Sequence, residues 1–167
     1  MARRTTGNVV TSRGPAATPR SRANTPVPAA AVAGYSGTPL ARKLGIQPGQ
    51  TIATVGAPGN YRDLVAPIPE DVTFVSRVTA RVDITHLFAT RLALLDRKLR
   101  ALRQAMRDDA TLWVSWPKKA SGVETDITED AIRAVALPLG LVDVKVCAVD
   151  NVWSGLKLVI RRELRQR

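Results

Sequence analysis

Apolar positions along the chain follow two rhythms. Between residues 91 and 106, Leu92, Leu95, Leu99, Leu102 and Met106 recur at spacings of three and four, which predicts the longest helix, opened by Thr90. Its other face carries Arg91, Asp96, Arg97, Lys98, Arg100, Arg103 and Arg107, and reads as a solvated helix face. Elsewhere short β-branched and apolar runs predict strands at 51–55, 72–75, 82–88, 111–116, 142–149 and 156–163. Turn residues punctuate them. Thr38-Pro39 predicts a short helix through Leu44, closed by Gly45 and followed by a Pro48-Gly49 turn. Asn60 caps a brief helix that ends before Pro67. Asp126 or Thr128 caps another through Leu137, with Glu129 three residues after Asp126 as in a capping box.

Strands alternating with helices, then two strands joined by a link short enough for a hairpin, predict an α/β fold. The expected form is a reduced Rossmann-like, mostly parallel sheet ending in an antiparallel hairpin. One junction strains this scheme. Only about six residues separate the second strand from the third, whereas a parallel crossover usually takes about a dozen or more. Either an extended segment crosses the sheet without a helix, or the second strand pairs antiparallel at an edge. Six extended residues reach roughly 20 Å, which favours the first.

Charge changes the picture at one end only. Of the 25 Lys and Arg residues that give the 167-residue chain a formal +11, five are arginines at positions 3, 4, 13, 20 and 22, in a stretch with no acidic residue. Residues 1–35, rich in Ala, Pro, Thr and Ser, bury too little to offset their chain entropy and are expected to be a disordered basic tail. Such a tail touches nucleic acid only through non-specific charge, having no aromatic residue among its arginines to stack on bases. Residues 36–167 then form a single domain, mildly basic at +6. One cysteine, Cys147, and one histidine, His86, exclude an internal disulfide and a zinc site of the usual Cys/His type. Both fall in strands and read as packed residues. No apolar stretch approaches the ~18 residues of a membrane span, and no apolar run follows the first arginines. A cytoplasmic location is expected, with no membrane partner.

In a mostly parallel sheet, ligands collect where loops leave the carboxyl ends of the strands. Four segments map there: Gly56-Ala57-Pro58-Gly59-Asn60-Tyr61, Leu87-Phe88-Ala89-Thr90, Trp116-Pro117-Lys118-Lys119-Ala120-Ser121-Gly122, and the hairpin's Trp153-Ser154-Gly155. Lys118, Lys119, Ser121 and Gly122 are expected to hold an anion. Gly56 and Gly59 would let backbone approach it, with Trp116, Trp153 and Ser154 beside it. No carboxylate pair stands free for acid/base work, since Asp126 and Glu129 are taken up by capping.

The same segments carry two resemblances. Residues 36–163, through Ser36-Gly37, Pro39-Leu40, Lys43-Leu44-Gly45-Ile46, Pro48-Gly49, Trp116-Pro117-Lys118-Lys119, Ser121-Gly122, Thr125-Asp126, Leu139-Gly140-Leu141-Val142-Asp143, Lys145 and Trp153-Ser154-Gly155 with Lys157, resemble a family of small bacterial proteins, the domain-of-unknown-function family numbered three thousand and fifty-two. That resemblance implies a small α/β protein and no particular activity. The order of elements also resembles a pared-down class I methyltransferase, with one strand-helix unit missing between Val75 and Val82. Against that class, Pro58 stands in the glycine-rich loop, and Ser76-Arg77 replaces the acidic residue that holds ribose hydroxyls at the end of the second strand. Arg77 stands about twenty residues past the glycine loop, where NADP-specific folds place an arginine, though Gly56 and Gly59 are only a fragment of that fingerprint.

The reading favoured on these grounds is a non-catalytic module without a resident cofactor, binding an anionic or nucleotide-like small molecule. A degenerate S-adenosylmethionine-dependent methyltransferase and a protein-interaction module are the alternatives. NADP is the remaining cofactor the loop suggests.

Overall fold

The computed structural model describes residues 37–166; the expected tail and Ser36 lie outside the described residues. Ten regular elements follow one another: α1 (Leu40–Leu44), β1 (Thr51–Val55), α2 (Tyr61–Leu64), β2 (Thr73–Val75), β3 (Ile84–Phe88), α3 (Leu92–Ala105), β4 (Thr111–Pro117), α4 (Glu129–Ala136), β5 (Leu141–Ala148) and β6 (Trp153–Ile160). The six strands make one sheet in the order β2-β1-β3-β4-β6-β5. β1 to β4 run parallel, and β6 lies antiparallel between β4 and β5. The reduced Rossmann-like sheet with its terminal hairpin is therefore what the chain builds. β2 pairs parallel with β1 at an edge, with Thr51 opposite Thr73. Residues 76–83 cross from it to β3 without a helix.

Each face of the sheet has its own core. On one, α3 and α4 lay Leu95, Leu99, Leu102 and Ile132 against Leu87, Leu112, Val114, Leu156 and Leu158. On the other, the two one-turn helices α1 and α2 cover Ile52, Ile84, Phe88 and Trp113 with Leu40, Leu44, Tyr61 and Val65. Trp113 is completely buried, and its indole Nε1 donates to the Leu44 carbonyl at 3.0 Å, which fixes α1 to the sheet. α1 closes on Gly45 in the left-handed region (φ 80°), as its sequence predicts.

Four local expectations are corrected. Asp126 caps the distant α3, accepting from the Leu92 N–H at 2.7 Å, while the Thr128 hydroxyl caps α4 by accepting from the Ala131 N–H. Thr90 does not open α3. Pro39 occupies the capping position of α1 with extended backbone (ψ 142°) and is not its first helical residue. β6 starts at Trp153, because the Asp150 carboxylate accepts from the N–H groups of Val152 and Trp153 and tightens the turn into four residues.

Candidate functional site

At the carboxyl end of β1 the chain turns at Gly56, whose φ of 68° favours glycine. A Cβ there would stand 2.8 Å from the Phe88 carbonyl oxygen, so the turn is packed directly on the end of β3. Gly59, three residues on, is different. Its backbone is not left-handed and an added Cβ would meet nothing within 4 Å. A side chain there would project from the exposed turn before α2 into open space.

Gly59 lines a cleft of about 600 Å³ between the carboxyl ends of β1 and β2. Its walls are Thr54 of β1, residues 57–63, and Phe74, Val75 and Ser76 at the end of β2. Arg62 lies over the Phe74 ring, 4.8 Å from its centre, so one wall offers a flat aromatic and a guanidinium together. The cleft lies at the carboxyl ends of the strands, the side on which open α/β sheets hold ligands, next to the point between β1 and β3 where the strand order reverses.

Behind the cleft runs a buried polar chain. His86 on β3 bonds Tyr61 Oη through Nδ1 at 3.0 Å and Ser115 Oγ through Nε2 at 2.7 Å. Either tautomer of a neutral ring makes both bonds, since a hydroxyl both donates and accepts. Phe88 stacks on the imidazole at 4.3 Å, and Tyr61 meets Phe74 and Phe88 edge-on. Burial disfavours the imidazolium and pushes the His86 pKa down to about 3, and burial also drives the Tyr61 phenol upward. Near neutral pH neither group titrates. The chain fixes α2 onto β3, and so positions one wall of the cleft. The Cys147 thiol is half-buried and its pKa is raised by desolvation, against the charges of Lys43, Lys145 and Lys118, so it is no ready nucleophile. Among the described residues no group of three or more His, Cys, Asp or Glu could hold a metal.

The residues expected at one anion site are dispersed. Gly56 and Gly59 belong to the turn beside the cleft. Trp116 is buried in the α3/α4 core, whereas Trp153 packs on the opposite face, edge-on to Phe88 at 5.1 Å. The two tryptophans flank paired positions of β4 and β6, Trp116 opposite Ser154 and Pro117 opposite Trp153, and point to different sides of the sheet. The Lys118 N–H donates to the Val152 carbonyl at 2.7 Å. Ser121 spends its hydroxyl on the Lys118 carbonyl at 2.6 Å and accepts from the Val123 N–H, and Gly122 supplies the left-handed residue (φ 74°) that closes the Lys119–Ser121 turn. Serine and glycine thus shape the loop. β1 and β4 are two strand spacings apart, roughly 10 Å, and neither lysine lines the β1/β2 cleft. Thr54, Arg62, Asp63 and Phe74, which do line it, gave no motif in the sequence; only the Gly56-to-Asn60 turn and Ser76 pointed there.

No family model matches the chain, and no curated protein matches it in sequence. The resemblance to the uncharacterised bacterial family therefore rests on its motifs alone. Solved structures share the fold. A protein assigned as a type 11 methyltransferase from Sulfolobus solfataricus superposes with a TM-score of 0.54 at 12% identity, over 77% of this chain and 93% of that one. A SAM-dependent methyltransferase from Aquifex aeolicus superposes equally well, at 14% identity, over 72% and 88%. These likenesses correct two expectations. The expected non-catalytic module without a cofactor finds no counterpart among these solved structures, which are themselves methyltransferases; at 12% and 14% identity the likeness shows the fold.

Proposed function

We propose that the chain is an S-adenosylmethionine-dependent methyltransferase of reduced architecture. The observation that carries this reading is the cleft at the carboxyl ends of β1 and β2, with the bare backbone of Gly59 in its lining. The strand order supports it, as do the two solved methyltransferases that share the fold.

The residues present suit the nucleoside part of the cofactor. Gly59 leaves its backbone bare for close approach, and the Asn60 amide and Ser76 hydroxyl offer neutral partners to ribose hydroxyls. When bound, S-adenosylmethionine supplies a methyl group on a sulfonium, which needs no further activation. What remains for the protein is to bind, orient and exclude water. The packed Gly56 turn holds the loop against β3, and the Tyr61–His86–Ser115 chain holds α2. None of these groups exchanges a proton near neutral pH, so a proton lost by the acceptor goes to solvent or to the Asp63 carboxylate in the cleft lining. The motif resemblance to the uncharacterised bacterial family belongs to the same proposal. So does a cytoplasmic location, which suits a single free thiol.

Calorimetric titration tests the reading. S-adenosylmethionine and S-adenosylhomocysteine are expected to bind, NADP is not, and Gly59→Val should weaken binding tenfold or more by adding a side chain to the lining of the cleft. No heat with either sulfur nucleoside contradicts it.

A further inference from the structure

A second hollow, of about 210 Å³, lies beside α2. Three separate parts of the chain enclose it: the start of α1, α2 with the residues just after it, and the turn between β5 and β6. Leu40, Leu64 and Val149 give it apolar walls, and Lys43, Asn60, Asp63 and Asp150 bring polar groups.

Asp150 is committed to the N–H groups of Val152 and Trp153, which leaves Lys43 and Asp63 as two free groups of opposite charge. Neither Lys43 nor Asp63 has an ion-pair partner among the described residues, and they do not pair with each other. Asn60 stands at the capping position of α2 without using its side chain there. An ammonium and a carboxylate held apart on one small apolar hollow are complementary to a ligand that carries both charges on an apolar body. Size narrows the choice further. At ~30 Å³ per water the hollow has the volume of about seven waters, below the ~300 Å³ where sites for drug-sized ligands begin. A nucleotide is too large for it; an amino acid is not.

We propose that this hollow binds a small apolar amino acid, with the carboxylate at Lys43, the ammonium at Asp63 and Asn60, and the side chain against Leu40, Leu64 and Val149. The inference goes beyond methyl transfer and needs nothing in the β1/β2 cleft. The two sites adjoin through α2, sharing Asn60 and Asp63.

The full chain, labelled at its leucine and valine methyl groups, is titrated by NMR with L-leucine and L-methionine without any sulfur nucleoside. Leucinamide and N-acetyl-leucine, each lacking one charge, are the comparison ligands. Saturable shifts are expected at Leu40, Leu64 and Val149. Lys43→Met and Asp63→Asn should each weaken leucine roughly tenfold or more. Lys43→Met should also stop discriminating leucine from leucinamide. Both positions are at least partly exposed, and unchanged thermal unfolding confirms that the variants are folded. Absence of saturable shifts with both amino acids, or equal affinities in wild type and both variants, overturns the proposal. Gly59→Val should retain leucine binding. Leucine binding without any S-adenosylmethionine binding contradicts only the reading of the cleft, and the converse contradicts only this one.

Discussion

The two rims of the sheet treat their polar residues in opposite ways. At the amino ends of the strands charges are committed to one another. Asp83, just before β3, accepts from the Thr51 N–H at 2.7 Å and pairs with Arg107, which also holds Asp109 at 2.7 Å. Asp108 accepts from the Gln166 N–H and ties down the end of the chain. At the carboxyl ends, Asp63 and Lys43 have no ion-pair partner among the described residues, Asn60 does not cap, and Gly59 faces open space. One rim is built to close the sheet, and the other leaves polar groups free for something else. The helices differ in the same sense. α3, with 14 residues, anchors the mainly apolar core of one face, where Thr85 is the buried polar residue on β3, whereas α2, with four, adds a buried phenol and imidazole to its packing. Packing makes the first stiff. The second also depends on two hydrogen bonds.

That contrast can be broken by substitution. The largest effect is expected at the Gly56 turn, where Gly56→Ala adds left-handed strain and a clash with the Phe88 carbonyl; chemical denaturation should show a loss of about 3 kcal/mol. Next comes the amino rim. Asp83→Ala removes the partner of a partly buried guanidinium and should cost about 2 kcal/mol while leaving binding of S-adenosylhomocysteine unchanged. Against the burial that would raise it, the Thr51 N–H and the Arg107 guanidinium hold the Asp83 carboxyl below its ordinary pKa. Its folded pKa being depressed, its stabilising contribution is present above the unfolded value near 3.8 and is lost as the pH falls through the folded value, a loss that Asp83→Asn should remove.

His86 gives a wider window. It is neutral when folded and titrates near 6.5 when unfolded, so its contribution is intact above pH 6.5 and declines as the pH falls toward about 3. Unfolding free energy should drop by about 1.4 kcal/mol per pH unit through that range, and His86→Gln should flatten the slope. The smallest effect sharpens the comparison most. Ser76→Ala, at an exposed position of the cleft, should change stability by less than about 0.5 kcal/mol and still weaken S-adenosylhomocysteine in a titration.

Much of the sheet could be read along the chain because its signals are local. β1 runs from Thr51 to Val55 as expected, bracketed by Gly49 and Gly56, and α3 keeps the stripe of leucines that predicted it. Non-local contacts were harder to read. Asp126 caps a helix 34 residues earlier, and no local capping pattern encodes that. Gly155 resembles a turn residue but is a strand glycine, because a Cβ there would crowd Val149, Trp113 and Cys147. At the site, the glycine turn was visible as a motif, while Arg62 and Phe74 meet only once α2 and β2 are folded side by side. Lys118-Lys119 stood out as adjacent charges, yet adjacency in sequence says nothing about which strand ends share a cleft.

The most direct test is an amide chemical-shift map of the full chain titrated with S-adenosylhomocysteine. Saturable shifts confined to residues 54–63 and 74–76, with Asp83 and residues 107–109 silent, are the predicted result. Shifts confined to residues 118–122, or none at all, would contradict it.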